Sequence, residues 1–167
     1  MRSVNKCFFI FDKMKHLIIM TIMLLPFMMG KAQNKIYKAN STSYSDCLYT
    51  IKGDKIYRGN STSYSDCKHT VDKNKIYNGN STSYSNCLYT LSGDKVYQGN
   101  STSYSDCLYT IKSGKIYKGN STSFSDCLLT IDGQKVYQGN STSYSNCLAT
   151  TDGMLNHSLI AILFGPY

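Results

Sequence analysis

Short apolar runs return along the chain at a fixed interval. Lys35-Ile36-Tyr37 recurs as Lys55-Ile56-Tyr57, Lys75-Ile76-Tyr77, Lys95-Val96-Tyr97, Lys115-Ile116-Tyr117 and Lys135-Val136-Tyr137, and a cysteine stands at 47, 67, 87, 107, 127 and 147. The period is 20 residues, held through six copies without insertion. Self-similarity at a fixed period marks a repeat architecture.

Each copy predicts two strands. Lys55 to Gly59 is an example of the first, and Cys107 to Ile111 of the second. Alternation places Cys107, Tyr109 and Ile111 on one face and Leu108 and Thr110 on the other. Between a second strand and the next first strand stand Lys52-Gly53-Asp54-Lys55, Ser92-Gly93-Asp94-Lys95 and their equivalents. Glycine supplies the positive φ that two-residue hairpin turns need. Lys73-Asn74 and Ser113-Gly114 keep a residue that tolerates that conformation. Lys68, His69, Ala149 and Thr151 depart from the repeat, which predicts strand positions that tolerate partial exposure.

Asn-Ser-Thr-Ser-Tyr-Ser-Asp, or a close variant, joins the two strands of each copy. Its short hydroxyl and amide side chains favour turns. The aromatic at Tyr44, Tyr64, Tyr84, Tyr104, Phe124 and Tyr144 is expected to pin each loop to the core. After Asp152-Gly153 the repeat stops, and residues 154–167 carry the apolar run Leu159 to Phe164. A short helix or plug sealing an apolar opening fits that run, because a repeat array needs its ends or its centre covered. A capping strand is the alternative.

The start of the chain has another pattern. Met14-Lys15-His16 precedes the apolar run Leu17 to Met29 and the small residues Gly30 and Ala32. That is the order of a secretory signal cut after Ala32. The run is shorter than the roughly 20 residues a membrane-spanning helix takes, and Pro26 lies inside it. An uncleaved anchor is the alternative, and Met14 the alternative start. The organisation is therefore an extension and signal over 1–32, a six-repeat β domain over 33–153 and an apolar cap or plug over 154–167.

Losing residues 1–32 removes Arg2, Lys6, Lys13, Lys15, Lys31 and Asp12, so the formal charge falls from +8 to +4. That is an ordinary charge for solubility and no argument for nucleic acid. Tyr and Thr favour strands.

The units Ile56-Tyr57-x-Gly59-Asn60 and Leu108-Tyr109-Thr110-Ile111, with Gly-Asp turns behind a signal segment and an apolar tail, resemble the small bacterial repeat proteins called β-flowers. The resemblance covers residues 35 to 164. It implies hairpin petals around a pseudo-symmetry axis, in a flower-like or funnel arrangement with the apolar C-terminal segment near the centre. It carries over no catalytic residues. Six copies rather than four or five put simple ring closure in question. A β-solenoid with one coil per period is the structural alternative, although its parallel coils need no tight reversals.

Six cysteines in an exported chain raise the expectation of disulfides. One per copy at the same place reads instead as a small buried apolar residue. Cys7 precedes the signal. His69 and His157 belong to no periodic cluster, and no Cys pair has zinc spacing, so neither a metal nor a cofactor is expected. Ser-Asp-Cys recurs without an accompanying His to act as base, so no enzyme is expected. Asp46, Asp66, Asp106 and Asp126 alternate with Asn86 and Asn146, which suits a turn role.

The expected role is structural or binding, in the periplasm, at the outer surface or outside the cell. The candidate binding residues are Asn60, Thr62, Asn80, Thr82, Asn100, Thr102, Asn120 and Thr122, facing a sugar, an envelope polymer or a repetitive surface partner with avidity. In a solenoid the threonine rank would suit ice.

Overall fold

A computed structural model describes residues 33–154 and 156–166. The signal segment and Cys7 lie outside the described residues. Twelve strands follow one another: β1 Gln33–Lys38, β2 Cys47–Lys52, β3 Lys55–Arg58, β4 Cys67–Asp72, β5 Lys75–Asn78, β6 Cys87–Ser92, β7 Lys95–Gln98, β8 Cys107–Lys112, β9 Lys115–Lys118, β10 Cys127–Asp132, β11 Lys135–Gln138 and β12 Cys147–Thr151. A helix, α1, covers His157–Phe164.

Every strand pairs antiparallel with its sequence neighbour, and β1 pairs with β12 to close a barrel. Antiparallel pairing throughout removes the solenoid alternative and its ice-binding threonine rank. Closure also answers the question raised by six copies. Five petals are covalent hairpins, for example β2–β3 with Lys52 opposite Lys55 across a two-residue turn. The sixth petal is β12 with β1, matched as Thr151 with Ile36 and Ala149 with Lys38. No tight turn joins that pair, so the ring is closed there by hydrogen bonds and by the shared core of Ile36 and Ala149.

The first residue of each two-residue turn carries the positive φ: Gly53, Lys73, Gly93, Ser113 and Gly133 lie between +51° and +64°. In the 73–74 turn the left-handed residue is thus Lys73. The petals then lock to one another. The amides of Val71, Leu91, Ile111 and Ile131 donate at 2.7 Å to the carbonyls of Asp54, Asn74, Asp94 and Gly114, each on the preceding turn.

A bulge reverses one expected facing. Cys107 lies opposite Tyr97, while Tyr109 lies opposite Val96 and Thr110 opposite Lys95, with the register shifting between them. Opposed residues share a face, so Cys107 joins Thr110 and Tyr97, away from Tyr109. The same shift occurs at every first-to-second strand junction from β1–β2 to β11–β12. The inner face therefore carries Ile36, Ile56, Ile76, Val96, Ile116 and Val136, all fully buried. Each contributes about 1.5–3 kcal/mol by leaving water. The opposite face carries Cys, Thr and the strand tyrosine.

The C-terminal run forms a helix, as the plug reading expects. Ile160, Ala161 and Ile162 share the core with Val96, Ile116, Val136 and Ala149. Asn156 caps the start through its side chain, which accepts from the Ser158 amide. Phe164 meets Tyr49 edge-on at 6.2 Å between ring centroids, and Tyr109 donates its hydroxyl to the Pro166 carbonyl at 3.1 Å. The structure corrects the expected exposure at three of the four irregular positions, while Lys68 is half-buried as expected. Ala149 and Thr151 are buried, and His69 is only 6% exposed. The inner ring carries Tyr49, His69, Tyr89, Tyr109, Leu129 and Ala149, and the backbone of α1 runs nearest β7 and β8.

Candidate binding surface

Up-and-down topology puts all six strand-joining loops at one end of the barrel and the tight turns at the other. The loops form a crown. Each ends in one turn of 3-10 helix, such as Tyr44–Asp46, and starts from a left-handed residue. That residue is Gly59, Gly79, Gly99, Gly119 or Gly139 in five copies and Ala39 in the first.

The loop bonds to itself. Ser41 Oγ donates to Asp46 Oδ2 at 2.5 Å and accepts the Ser43 amide at 3.0 Å. Asn86 fills the Asp place by donating to Ser81 Oγ at 2.8 Å. These local bonds hold the aromatic ring outward, and the expectation that it pins the loop to the core is overturned. Tyr44, Tyr64, Tyr84, Tyr104, Phe124 and Tyr144 are 76–81% exposed. The aromatic that is buried is the strand tyrosine, such as Tyr57. Thr62, Thr82, Thr102 and Thr122 are exposed at the same loop tips, while Asn60, Asn80, Asn100 and Asn120 are half-buried at the loop bases.

Those asparagines do structural work that the sequence did not announce. Asn80 Oδ1 accepts Lys55 Nζ at 2.8 Å, and Asn80 Nδ2 donates to the Tyr64 carbonyl at 2.7 Å. Asn100 repeats this with Lys75 and Tyr84, and Asn120 with Lys95 and Tyr104. The bracket crosses the seam as well, where Asn40 takes Lys135 Nζ at 2.9 Å and donates to the Tyr144 carbonyl. Asn60 forms neither bond, so it stands apart from Asn80, Asn100 and Asn120. The unbroken recurrence of Lys in Lys-Ile-Tyr was the available signal for the bracket.

The threonine of the second strand closes each loop base. Thr50 Oγ1 donates to the Gly59 carbonyl at 2.8 Å, and the bond recurs through Thr150 and Ala39 at the seam. The six repeat cysteines, Cys47 to Cys147, are unpaired. Their sulfurs face backbone carbonyls two residues on, as Cys107 does Tyr109 at 3.6 Å.

One buried group stands outside the repeat chemistry. His69 Nδ1 has no hydrogen-bond partner. Burial lowers its pKa to about 4, and the Lys68 charge pushes the same way. Lys68 itself donates to Tyr49 Oη at 3.2 Å with its ammonium 4.9 Å from that ring. Among the described residues no group of three His, Cys, Asp or Glu side chains is placed to hold a metal ion. No described helix is long and apolar enough to cross a membrane.

Residues 57–158 match the family model described as 6-fold beta flower protein. That span is more than half of the chain, and the chain belongs to this family. No curated protein and no solved structure matches it.

Proposed function

From membership of the six-fold β-flower family we propose that this chain is an exported, non-enzymatic module that grips a repetitive polymer or surface of the cell envelope through its crown. The observation that carries the reading is the ring of six exposed aromatic side chains at one end of a closed barrel. Large exposed aromatics are costly to keep in water and are the commonest anchors at binding surfaces. Each stands among free hydroxyls at the tips, with Thr62, Thr82, Thr102 and Thr122 beside them. Weak contacts repeated around one ring sum to useful affinity only against a partner that is itself repetitive. The charge and apolar order of residues 14–32 support export.

Co-sedimentation with insoluble envelope polymers tests this. The chain should pellet with at least one of them. A variant with alanine at 44, 64, 84, 104, 124 and 144 should stay in the supernatant while keeping its melting temperature. Equal pelleting of that variant would sink the reading.

A further inference from the structure

We infer that the grooves between neighbouring crown loops each take one pyranose ring, and that a cation at the mouth of three of them selects rings bearing a carboxylate. The inference rests on the crown reading above and adds the charge of the ligand. The seam carries a wide-mouthed depression of about 560 Å³, open to solvent along most of its length. Lys38, Asn40, Ser41 and Asp46 line one wall, and Tyr144 and Ser145 the other.

Much of this wall is already committed. Asn40 holds Lys135 and the Tyr144 carbonyl, and Ser41 is spent on Asp46. What remains free is the Tyr144 ring, 76% exposed, the Ser145 hydroxyl and the exposed Lys38 ammonium. Lys135 Nζ lies 5.8 Å from the centre of the same ring. A flat aromatic face suits the C–H face of a sugar, and a hydroxyl suits its hydroxyls. Two ammonium groups against the single Asp46 carboxylate leave the groove positive. An exposed ammonium alone holds an anion weakly, so a bare anion is a poor occupant. Stacking supplies the affinity and the cation supplies the choice.

The repeat carries the groove around the ring. The place of Lys38 is taken by Arg58, Asn78, Gln98, Lys118 and Gln138. Arg58 and Lys118 are exposed, as Lys38 is. Three of the six places at the mouth therefore carry a cation, at 38, 58 and 118, and three carry an amide, at 78, 98 and 138.

Calorimetric titration of the exported chain tests the inference, with an oligogalacturonate, its methyl ester and N-acetylmuramic acid as probes. The oligogalacturonate should bind about tenfold more tightly than the ester, since three weak ion pairs act together. The difference should shrink with added salt. It should fall several-fold in the triple variant Lys38→Gln, Arg58→Gln, Lys118→Gln, which retains the ester affinity and keeps Lys135 and its equivalents; an unchanged difference would overturn the charge selection at the mouth. Binding of N-acetylmuramic acid better than of galacturonate, or the reverse, assigns the source of the carboxylate, and either supports selection. Equal binding of acid and ester would overturn the charge selection and leave the crown reading standing. Binding of both that survives alanine at the six crown aromatics would overturn the crown reading itself. Binding of neither acid overturns the inference.

Discussion

The Thr150 hydroxyl donates to the Ala39 carbonyl at 2.7 Å across 111 residues of sequence. It repeats within the seam a bond that every covalent petal makes to a glycine carbonyl, as Thr90 does to Gly99. The Ala39 amide completes the seam by donating to the Leu148 carbonyl at 2.9 Å. Ring closure therefore uses the ordinary bonds of the repeat, without a turn to hold the two strands together.

Ala39 makes those bonds in a conformation its side chain resists. Its φ is +51°, where the other five copies place glycine. The left-handed region costs an L-residue about 1–2 kcal/mol, partly offset by the chain entropy glycine loses on folding. A Cβ at the equivalent Gly59 would meet only the Cys47 carbonyl at 3.8 Å, so the cost lies in the backbone. Ala39→Gly should stabilise the protein by about 0.5–1 kcal/mol. Lys73→Gly, at φ +54° in a tight turn, should gain a similar amount. Denaturant midpoints check both, and a lower midpoint for either would contradict this account of the strain.

The repeat, its two strands and its turns were legible because each rests on local signals written six times over. What failed depended on neighbours in space. Tyr44 and Tyr57 are both tyrosines near a strand, yet one is exposed and the other buried. The difference comes from the Ser41 and Asp46 bonds that stiffen the loop. Cys107 lies on the opposite face from the one alternation predicts, because alternation does not reveal a bulge. The Lys55–Asn80 bracket spans 25 residues and a whole intervening strand. Closure by β12 and β1 depends on the angle between petals, which no single copy records.

His69 gives the fold a dependence on pH. Its folded pKa of about 4 lies below the ordinary 6.5. The unfolded chain therefore takes up the proton first as pH falls. Stability is fully present above about pH 6.5 and is lost as pH falls through about 4. The loss is up to about 3 kcal/mol, since each tenfold difference in proton affinity between the folded and unfolded chain is worth about 1.4 kcal/mol. Chemical denaturation at pH 7 and pH 4 should show a larger fall in the native protein than in His69→Gln. Parallel falls in the two proteins would place the acid sensitivity elsewhere.

The end of the plug is crowded at Gly165. A Cβ there would lie 2.5 Å from Tyr109 Cζ and closer still to the Ala161 carbonyl oxygen. Gly165→Ala must shift the last turn of α1 and break the Tyr109 bond to Pro166, at a cost of about 1–3 kcal/mol. Burial raises the Tyr109 pKa to about 12. The native protein should thus lose stability as pH rises from about 10 through about 12, because the unfolded phenol ionises first. In Gly165→Ala the Tyr109 titration should move down toward 10, which ultraviolet absorbance in alkali would follow.

Asn100 and Asn60 occupy the same place in the repeat and should answer differently to alanine. Asn100 joins the Lys75 ammonium to the Tyr84 carbonyl at 2.6 and 2.9 Å. Removing it leaves both groups without that partner, and the charged one makes the larger contribution, so Asn100→Ala should cost about 1–3 kcal/mol. Asn60 makes neither bond, although Lys35 lies 5.9 Å from the Tyr44 ring centre, much as Lys75 lies 5.6 Å from the Tyr84 ring. Asn60→Ala should leave stability within about 0.5 kcal/mol of native. Its amide is also the one among Asn60, Asn80, Asn100 and Asn120 left uncommitted for a ligand at the crown. A binding loss in Asn60→Ala at unchanged melting temperature would separate recognition from folding at a single residue. Equal destabilisation by the two substitutions would mean that the Lys–Asn bracket is not what holds neighbouring loops in register.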